Sequence, residues 1–242
     1  IHGKFVRARM PLYGGDVTTK AVHVVAAFGA YREGHLRRDF SAYIERIRAN
    51  PWRQWLHYNS WYQLRRPASQ LGVVAPEDEM NLTNVLRVLK NYRDDFVRPA
   101  NIANFRGVLL DDGWDNYTTL WQAHSGFPGG FSQIKDETIR SDLGGVGVWL
   151  SPWGGYGHAR GERMKYGHTQ GFEINSNGFS LAGKKYFTRF YETCKKFIQE
   201  FDVSFFKFDG IAGGFVTSGP PPEYAADVFG LFELVTRLRK LK

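Results

Sequence analysis

The residues best suited to chemistry in this sequence lie at the ends of two short apolar segments. Asp209 closes the run Phe205-Phe206-Lys207-Phe208-Asp209-Gly210. If this run is a β-strand, Lys207 and Asp209 share one face, because side chains alternate with a period of two. An aspartate held near a lysine stays ionised at neutral pH and could attack an electrophilic carbon. The alternative is a buried lysine-aspartate pair with a structural role only.

The second group is Asp111 and Asp112, in the run Leu109-Leu110-Asp111-Asp112-Gly113-Trp114. Adjacent residues on a strand point to opposite faces, so at most one of these acids faces inward before the chain turns at Gly113. Carboxylates can hold a pair of sugar hydroxyls, and an indole such as Trp114 can stack on a sugar ring. Two alternatives remain, a helix or turn cap and a divalent metal site. Neighbouring runs offer no further carboxylates at a recognisable spacing.

A repeated pattern of apolar strand, loop and amphipathic helix predicts how these groups are positioned. Alternation of this kind is typical of an α/β fold with a parallel sheet. The predicted strands are Trp55–Trp61, Gly107–Asp112, Val146–Ser151 and Ser204–Asp209. Helical spacing of apolar residues predicts helices within Glu33–Asn50, Leu82–Phe96, Phe187–Phe201 and Tyr224–Leu238, and more weakly within Gln133–Leu143.

Four such units make half of a (β/α)8 TIM-type barrel. We therefore expect a lead-in of strand, loop and helix over residues 1–50 and the first half of a barrel over residues 51–242, completed by a missing C-terminal half or a second chain. The carboxyl ends of the strands are the expected ligand site. The segment Gly154–Phe172, with His158 and His168, is predicted to be a flexible loop beside the substrate, since two histidines ten residues apart do not make a metal site.

Composition narrows the possible functions further. The 242 residues are 43% hydrophobic and carry a formal net charge of +8, but Lys and Arg are spread along the chain, which argues against a nucleic-acid partner. No apolar run approaches the ~18 residues of a membrane span. The chain begins at Ile1, so we expect a removed natural start, and a secreted or periplasmic location stays open. Cys194, the single cysteine, is expected to be a buried small hydrophobe.

Four motifs follow one another along the chain. They are His57-Tyr58-Asn59-Ser60-Trp61-Tyr62, Leu109-Leu110-Asp111-Asp112-Gly113-Trp114, Gly147-Val148-Trp149-Leu150-Ser151-Pro152-Trp153 and Phe206-Lys207-Phe208-Asp209. In this order they resemble glycoside hydrolase family 36 and the wider clan of α-galactosidases and α-N-acetylgalactosaminidases. The resemblance extends from about Trp55 to about Gly214. One segment departs from the family pattern by carrying Ser151-Pro152-Trp153-Gly154-Gly155.

The resemblance implies a retaining hydrolase of terminal α-linked galactose or N-acetylgalactosamine in an oligosaccharide or glycoconjugate, without a cofactor. It implies that Asp209 is the nucleophile, that Lys207, Asp111 and Asp112 hold sugar hydroxyls, and that Trp61 lies beneath the ring. Trp114, Trp149 and Trp153 are expected to line the same site.

The family's proton donor lies on the sixth strand, which we expect outside this chain. Glu162, Glu173 and Glu223 are therefore interpreted as surface charges. The main alternative function is a non-catalytic carbohydrate-binding or incomplete barrel protein that lacks the proton donor.

Overall fold

A computed structural model describes residues 27–65, 75, 78–103, 105–210 and 222–242. Residues 1–26 of the expected lead-in over 1–50, the end of the resemblance at 211–214 and the side chain of Glu223 lie outside the described residues. The chain divides into two compact units, Ile1–Trp55 and Leu56–Lys242. In the first unit, helix α1 (Leu36–Ile47) matches the predicted helical spacing, and none of its side chains is buried.

The strands, numbered in chain order, are β1 (Leu56–Asn59), β2 (Phe105–Leu110), β3 (Gly145–Leu150), β4 (Ile174–Asn175), β5 (Gly178–Phe179) and β6 (Phe205–Phe208). Strands β1, β2, β3 and β6 form one parallel sheet in that order. This confirms the predicted α/β class and the order of the four strands. Each strand ends one or two residues earlier than predicted, so that the acids lie in the loops that follow.

Helices connect the strands of the parallel sheet, and one more helix follows the last strand. They are α2 (Leu82–Asn91, continued by a π-helical turn over Tyr92–Val97), α3 (Ser132–Arg140), α4 (Gly157–Gln170), α5 (Lys184–Phe201) and α6 (Pro222–Leu238). The side chain of Asn81 caps α2 by accepting a hydrogen bond from the Asn84 N–H at 2.9 Å. Cys194 on α5 is fully buried, as predicted.

Helix α4 contradicts the prediction of a flexible loop over Gly154–Phe172. The sequence pattern did not predict this helix, because glycines at 157, 161 and 167 weaken helix propensity and the apolar residues show little periodicity. Tertiary packing explains one of these glycines. A Cβ at Gly167 would lie 2.2 Å from the ring of Phe179, so only a hydrogen fits there.

The two faces of β6 pack in different ways. On one face the Phe205 ring lies over the neighbouring strands, and a Cβ added at Gly107 or Gly147 would lie within 2.5 Å of it. On the other face Phe206 and Phe208 stack on each other at 5.4 Å, and Phe208 contacts Phe190 of α5 at 5.8 Å. Because of the period of two, Lys207 shares the face of Phe205 and lies one residue pair closer to the carboxyl end.

Candidate active site

The sheet brings Lys207 of β6 and Asp111, which follows β2, together across the intervening strand β3. Lys207 Nζ donates to Asp111 Oδ2 at 2.8 Å although the residues are 96 positions apart in the sequence. The Asp111 side chain is 2% exposed and that of Lys207 is 38% exposed, so the lysine closes over a buried carboxylate and remains accessible to solvent. The Asp111 N–H donates to Ser60 Oγ at 2.8 Å, which ties the loop after β2 to the end of β1.

Asp209 lies just past β6, and three donors hold its carboxylate. The Trp149 indole N–H donates to Oδ2 at 3.0 Å, while the Tyr156 hydroxyl and the Gly210 N–H donate to Oδ1 at 3.1 and 2.7 Å. Partial burial alone would raise the pKa of Asp209, but these hydrogen bonds outweigh it, and the pKa lies below its usual value. Asp209 is therefore an ionised, half-buried carboxylate.

Lys207 was expected to keep Asp209 ionised, but it contributes little to the lowered pKa of Asp209. Lys207 forms its ion pair with Asp111, and its charge is the weakest of the effects that lower the pKa of Asp209. The main contributions are the hydrogen bonds from Trp149, Gly210 and Tyr156. Sequence spacing correctly placed the lysine and the aspartate at one sheet edge, but it could not identify these donors.

Asp112 belongs to a buried cluster organised by Arg163 of α4. The guanidinium is fully buried and makes two hydrogen bonds to Asp115, at 3.0 and 2.7 Å, and one to Asp112 at 3.1 Å. It also donates to the Gly154 carbonyl at 3.1 Å. Its aromatic neighbours are Tyr117, Trp121 and Trp149, with ring centroids 4.8, 4.6 and 5.5 Å from the guanidinium carbon.

Arg163, Asp115 and Tyr156 were missed by the sequence analysis. Arg163 lies within α4 and Tyr156 directly precedes it, in the segment that was predicted to be a loop. Asp115 directly follows the Leu109–Trp114 motif, and only Asp111 and Asp112 of that motif were considered as site residues. The only signal that could have found them is the glycine pair before Tyr156, which is typical of a tight turn at a strand end.

The pKa of Asp112 is raised from 3.8 to about 6, because burial outweighs the attraction of Arg163, whose charge Asp115 shares. Since the folded state binds this proton more tightly than the unfolded chain, the contribution of Asp112 to stability falls as the pH rises through the window from 3.8 to about 6. Above that window it is constant.

We expect the carboxyl carbon of Asp112 to titrate with a midpoint near pH 6 and that of Asp209 to titrate below 3.8. NMR of protein labelled with 13C at aspartate carboxyls measures both midpoints, and Asp112→Asn and Asp209→Asn assign the signals. An Asp112 midpoint at or below 3.8 would contradict the proposed effect of burial.

The four expected tryptophans have different surroundings. Trp61 is half-buried in the 3-10 turn Ser60–Tyr62, where its backbone N–H donates to Asn59 Oδ1. Trp149 and Trp153 are 1% and 2% exposed. Trp114 has no exposed surface, donates its indole N–H to the Trp149 carbonyl at 2.9 Å and packs against Phe131 and Phe197. Trp114 therefore belongs to the core, and we do not carry it forward as a sugar contact.

Among the described residues, no group of three or more His, Cys, Asp and Glu side chains is arranged to hold a metal ion. Within the same residues, no helix is both long and apolar enough to cross a membrane. Glu162 is paired with Lys165 on the surface of α4. Glu173 accepts hydrogen bonds from the Lys185 and Tyr186 N–H groups at the start of α5, so its carboxylate is engaged there.

Comparisons with solved structures show a similar fold. An α-galactosidase from Lactobacillus brevis superposes with a TM-score of 0.52 at 14% identity, over 77% of this chain and 25% of that one. The α-galactosidase of Thermus thermophilus, solved with p-nitrophenyl α-D-galactopyranoside, gives a TM-score of 0.52 at 17% identity, over 84% of this chain and 39% of that one. No family model and no curated protein matches the sequence.

The chain thus has a glycosidase-type fold, part of the TIM barrel found in α-galactosidases, as the motifs led us to expect. It spans between a quarter and two fifths of the length of those two enzymes.

Proposed function

We propose that this chain carries the nucleophile half of a retaining glycoside hydrolase active site that acts on terminal α-linked galactose or N-acetylgalactosamine. The observation that carries the proposal is the state of Asp209, an ionised carboxylate at the carboxyl end of a parallel strand, held by three donors and partly open to solvent. A carboxylate in this state is suited to attack an anomeric carbon.

The proposed reaction has two steps. An oxygen of Asp209 forms a bond to the anomeric carbon while the bond from that carbon to the leaving-group oxygen breaks, and a glycosyl ester results. Water then attacks the same carbon and releases the sugar with its original configuration and the free Asp209 carboxylate. The proton for the leaving group comes from a second carboxylic acid, which we assign to no residue of this chain. We propose that further strands, from the same or a second chain, complete the barrel and supply it.

We assign sugar recognition to charged and aromatic side chains at the carboxyl ends of the strands. The accessible Lys207 ammonium and the Asp111 and Asp112 carboxylates supply charged partners for hydroxyl groups. Trp61 supplies a half-buried ring in the turn that follows β1, and Trp149 acts on the sugar site through Asp209. Trp153, which is buried, supports the wall of the site. The galactoside bound to the Thermus thermophilus enzyme is the substrate class that we extend to this chain.

A fluorinated sugar tests the nucleophile without the missing proton donor. We expect 2-deoxy-2-fluoro-α-galactosyl fluoride to label Asp209, because fluoride leaves without needing a proton and the 2-fluoro group slows the second step. Mass spectrometry of peptides locates the label. The matched control is Asp202→Asn, since Asp202 is an exposed carboxylate at the opposite end of β6, and this variant should be labelled like the wild type.

Label on a residue other than Asp209 would overturn the assignment. If no label forms but galactose still binds, the result would favour the non-catalytic carbohydrate-binding alternative.

A further inference from the structure

Tyr156 touches Asp209, yet the retaining mechanism and the family motifs give it no role. It lies in the loop after β3, where the sequence departs from the family pattern. Its ring is 44% exposed, and its hydroxyl donates to Asp209 Oδ1 at 3.1 Å. The residue therefore presents one end to the carboxylate and part of its ring to solvent at the mouth of the site.

The turn that carries Tyr156 is built for this position. Gly154 and Gly155 have φ angles of +108° and +87°, which favour glycine. Arg163 donates to the Gly154 carbonyl at 3.1 Å, and a Cβ at Gly155 would lie 2.4 Å from its Nη1 atom. The turn is therefore packed directly on a buried guanidinium.

Gly210 allows the approach from the other side. A Cβ at this position would lie 3.3 Å from the Tyr156 hydroxyl oxygen and 3.1 Å from Ser151 Oγ. Any side chain there would also have to adopt a φ of +73°. The tyrosine hydroxyl and the Gly210 N–H thus reach the same carboxylate oxygen from two sides.

The two oxygens of Asp209 are consequently different. Oδ1 accepts two hydrogen bonds, from Tyr156 and Gly210, whereas Oδ2 accepts one, from Trp149. A carboxylate oxygen has about two lone-pair sites, so Oδ1 is fully engaged and Oδ2 keeps one site free among the described residues. An oxygen needs a free lone pair to form a bond to carbon.

We propose that Tyr156 is a positioning residue for Asp209, which engages Oδ1 so that Oδ2 is the oxygen that attacks the sugar. In the glycosyl ester, Oδ1 is then the carbonyl oxygen and keeps its two donors. When water breaks the ester, the same two donors stabilise the negative charge that forms again on the Asp209 carboxylate. This inference rests on the proposed function of Asp209.

The tyrosine is protonated in this arrangement. Partial burial and the charge of Asp209 raise the pKa of Tyr156 above its usual value, so the hydroxyl remains a donor at neutral pH. The other charged groups facing the pair are Lys207, which lowers the pKa of Asp209, and Asp112, which raises that of Tyr156.

Tyr156→Phe removes the hydroxyl and keeps the ring. We expect the 13C carboxyl signal of Asp209 to titrate at a higher pH in this variant, because the ionised form loses a donor. We also expect labelling by 2-deoxy-2-fluoro-α-galactosyl fluoride to slow about 10- to 100-fold at neutral pH, because the carboxylate is no longer held with Oδ2 toward the sugar and a small misplacement of a reacting group costs a factor of this size. The acid limb of the labelling rate should move to higher pH together with the titration. Tyr31→Phe, at a residue 58% exposed in the other unit, is the matched control and should change neither quantity.

The outcomes separate the two proposals. If the wild type is labelled at Asp209 but Tyr156→Phe keeps both its labelling rate within about twofold and its Asp209 titration, the role of Tyr156 is wrong and the nucleophile stands. If the wild type is not labelled at Asp209, the proposed function itself fails. The carboxyl titration needs no turnover, so it can be measured even if the wild type is not labelled. An unchanged Asp209 midpoint in Tyr156→Phe then overturns the positioning role of Tyr156.

Discussion

Replacing Asp209 with glycine is expected to lower the rate of cleavage of an activated aryl α-galactoside by on the order of 10⁴-fold, the size seen when a covalent nucleophile or a residue acting with it is removed. The physical reason is that no other carboxylate among the described residues is held ready at this position. Asp111 is 2% exposed and paired with Lys207, and Asp112 is bound by Arg163. The rate is measured from the release of nitrophenolate by the full-length protein.

Azide makes this prediction specific to a nucleophile. In Asp209→Gly the space of the carboxylate is free, so azide can form the bond to the anomeric carbon as the aryl oxygen leaves. The expected product is the β-galactosyl azide, since azide enters from the side opposite to the leaving group. Recovery of α-galactosyl azide, or full activity without azide, would show that Asp209 does not attack the sugar. Asp202→Gly serves as the control and should need no azide.

Replacing Arg163 with methionine is expected to destabilise the protein by about 3 to 5 kcal/mol, the range for breaking a buried ion pair. Asp115 is fully buried and receives two of the hydrogen bonds of Arg163, so the variant leaves a buried carboxylate without its cation. The aromatic surfaces of Tyr117, Trp121 and Trp149 also lose a cation. The free energy of unfolding in urea measures the effect.

Two further variants test the cause of this loss. Asp115→Asn combined with Arg163→Met should cost less than the sum of the single changes, because the neutral amide no longer needs a cation. Lys196→Met breaks an exposed ion pair with Glu200 and should change the free energy by less than about 1 kcal/mol. A cost for Arg163→Met as small as that of Lys196→Met would contradict the role given to the cluster.

Much of the fold followed from local patterns. Strand and helix periodicity placed all four strands of the parallel sheet and the helices that contain Leu82, Phe190 and Leu231. Within the described residues, the helix that was missed is α4. It has three glycines and little apolar periodicity, so the pattern that predicts a helix is absent from it. Its stability comes from contacts such as Gly167 against Phe179, which lie outside the reach of a local pattern.

The candidate site was predictable in part for the same reason. Lys207 and Asp111 meet, although β3 lies between their strands, because the carboxyl ends of parallel strands lie at one edge of the sheet, a rule that needs only the strand assignments. The placement of the tryptophans was harder to predict, since the sequence does not show whether an indole faces a cleft or the core. Trp114 and Trp149 occur in similar motifs, but the first packs among phenylalanines and the second donates to Asp209.

The sequence by itself determined the class of the fold, the positions of the four strands to within one or two residues at their carboxyl ends, and the charged residues near those ends, because these depend on spacing along a few residues. Only the tertiary structure decided what surrounds each charge. Arg163 meets Asp115 across 48 positions, and Tyr156 meets Asp209 across 53. The pKa of a carboxyl depends on its burial and on donors within a few ångströms, and the folded packing of distant segments brings those donors there.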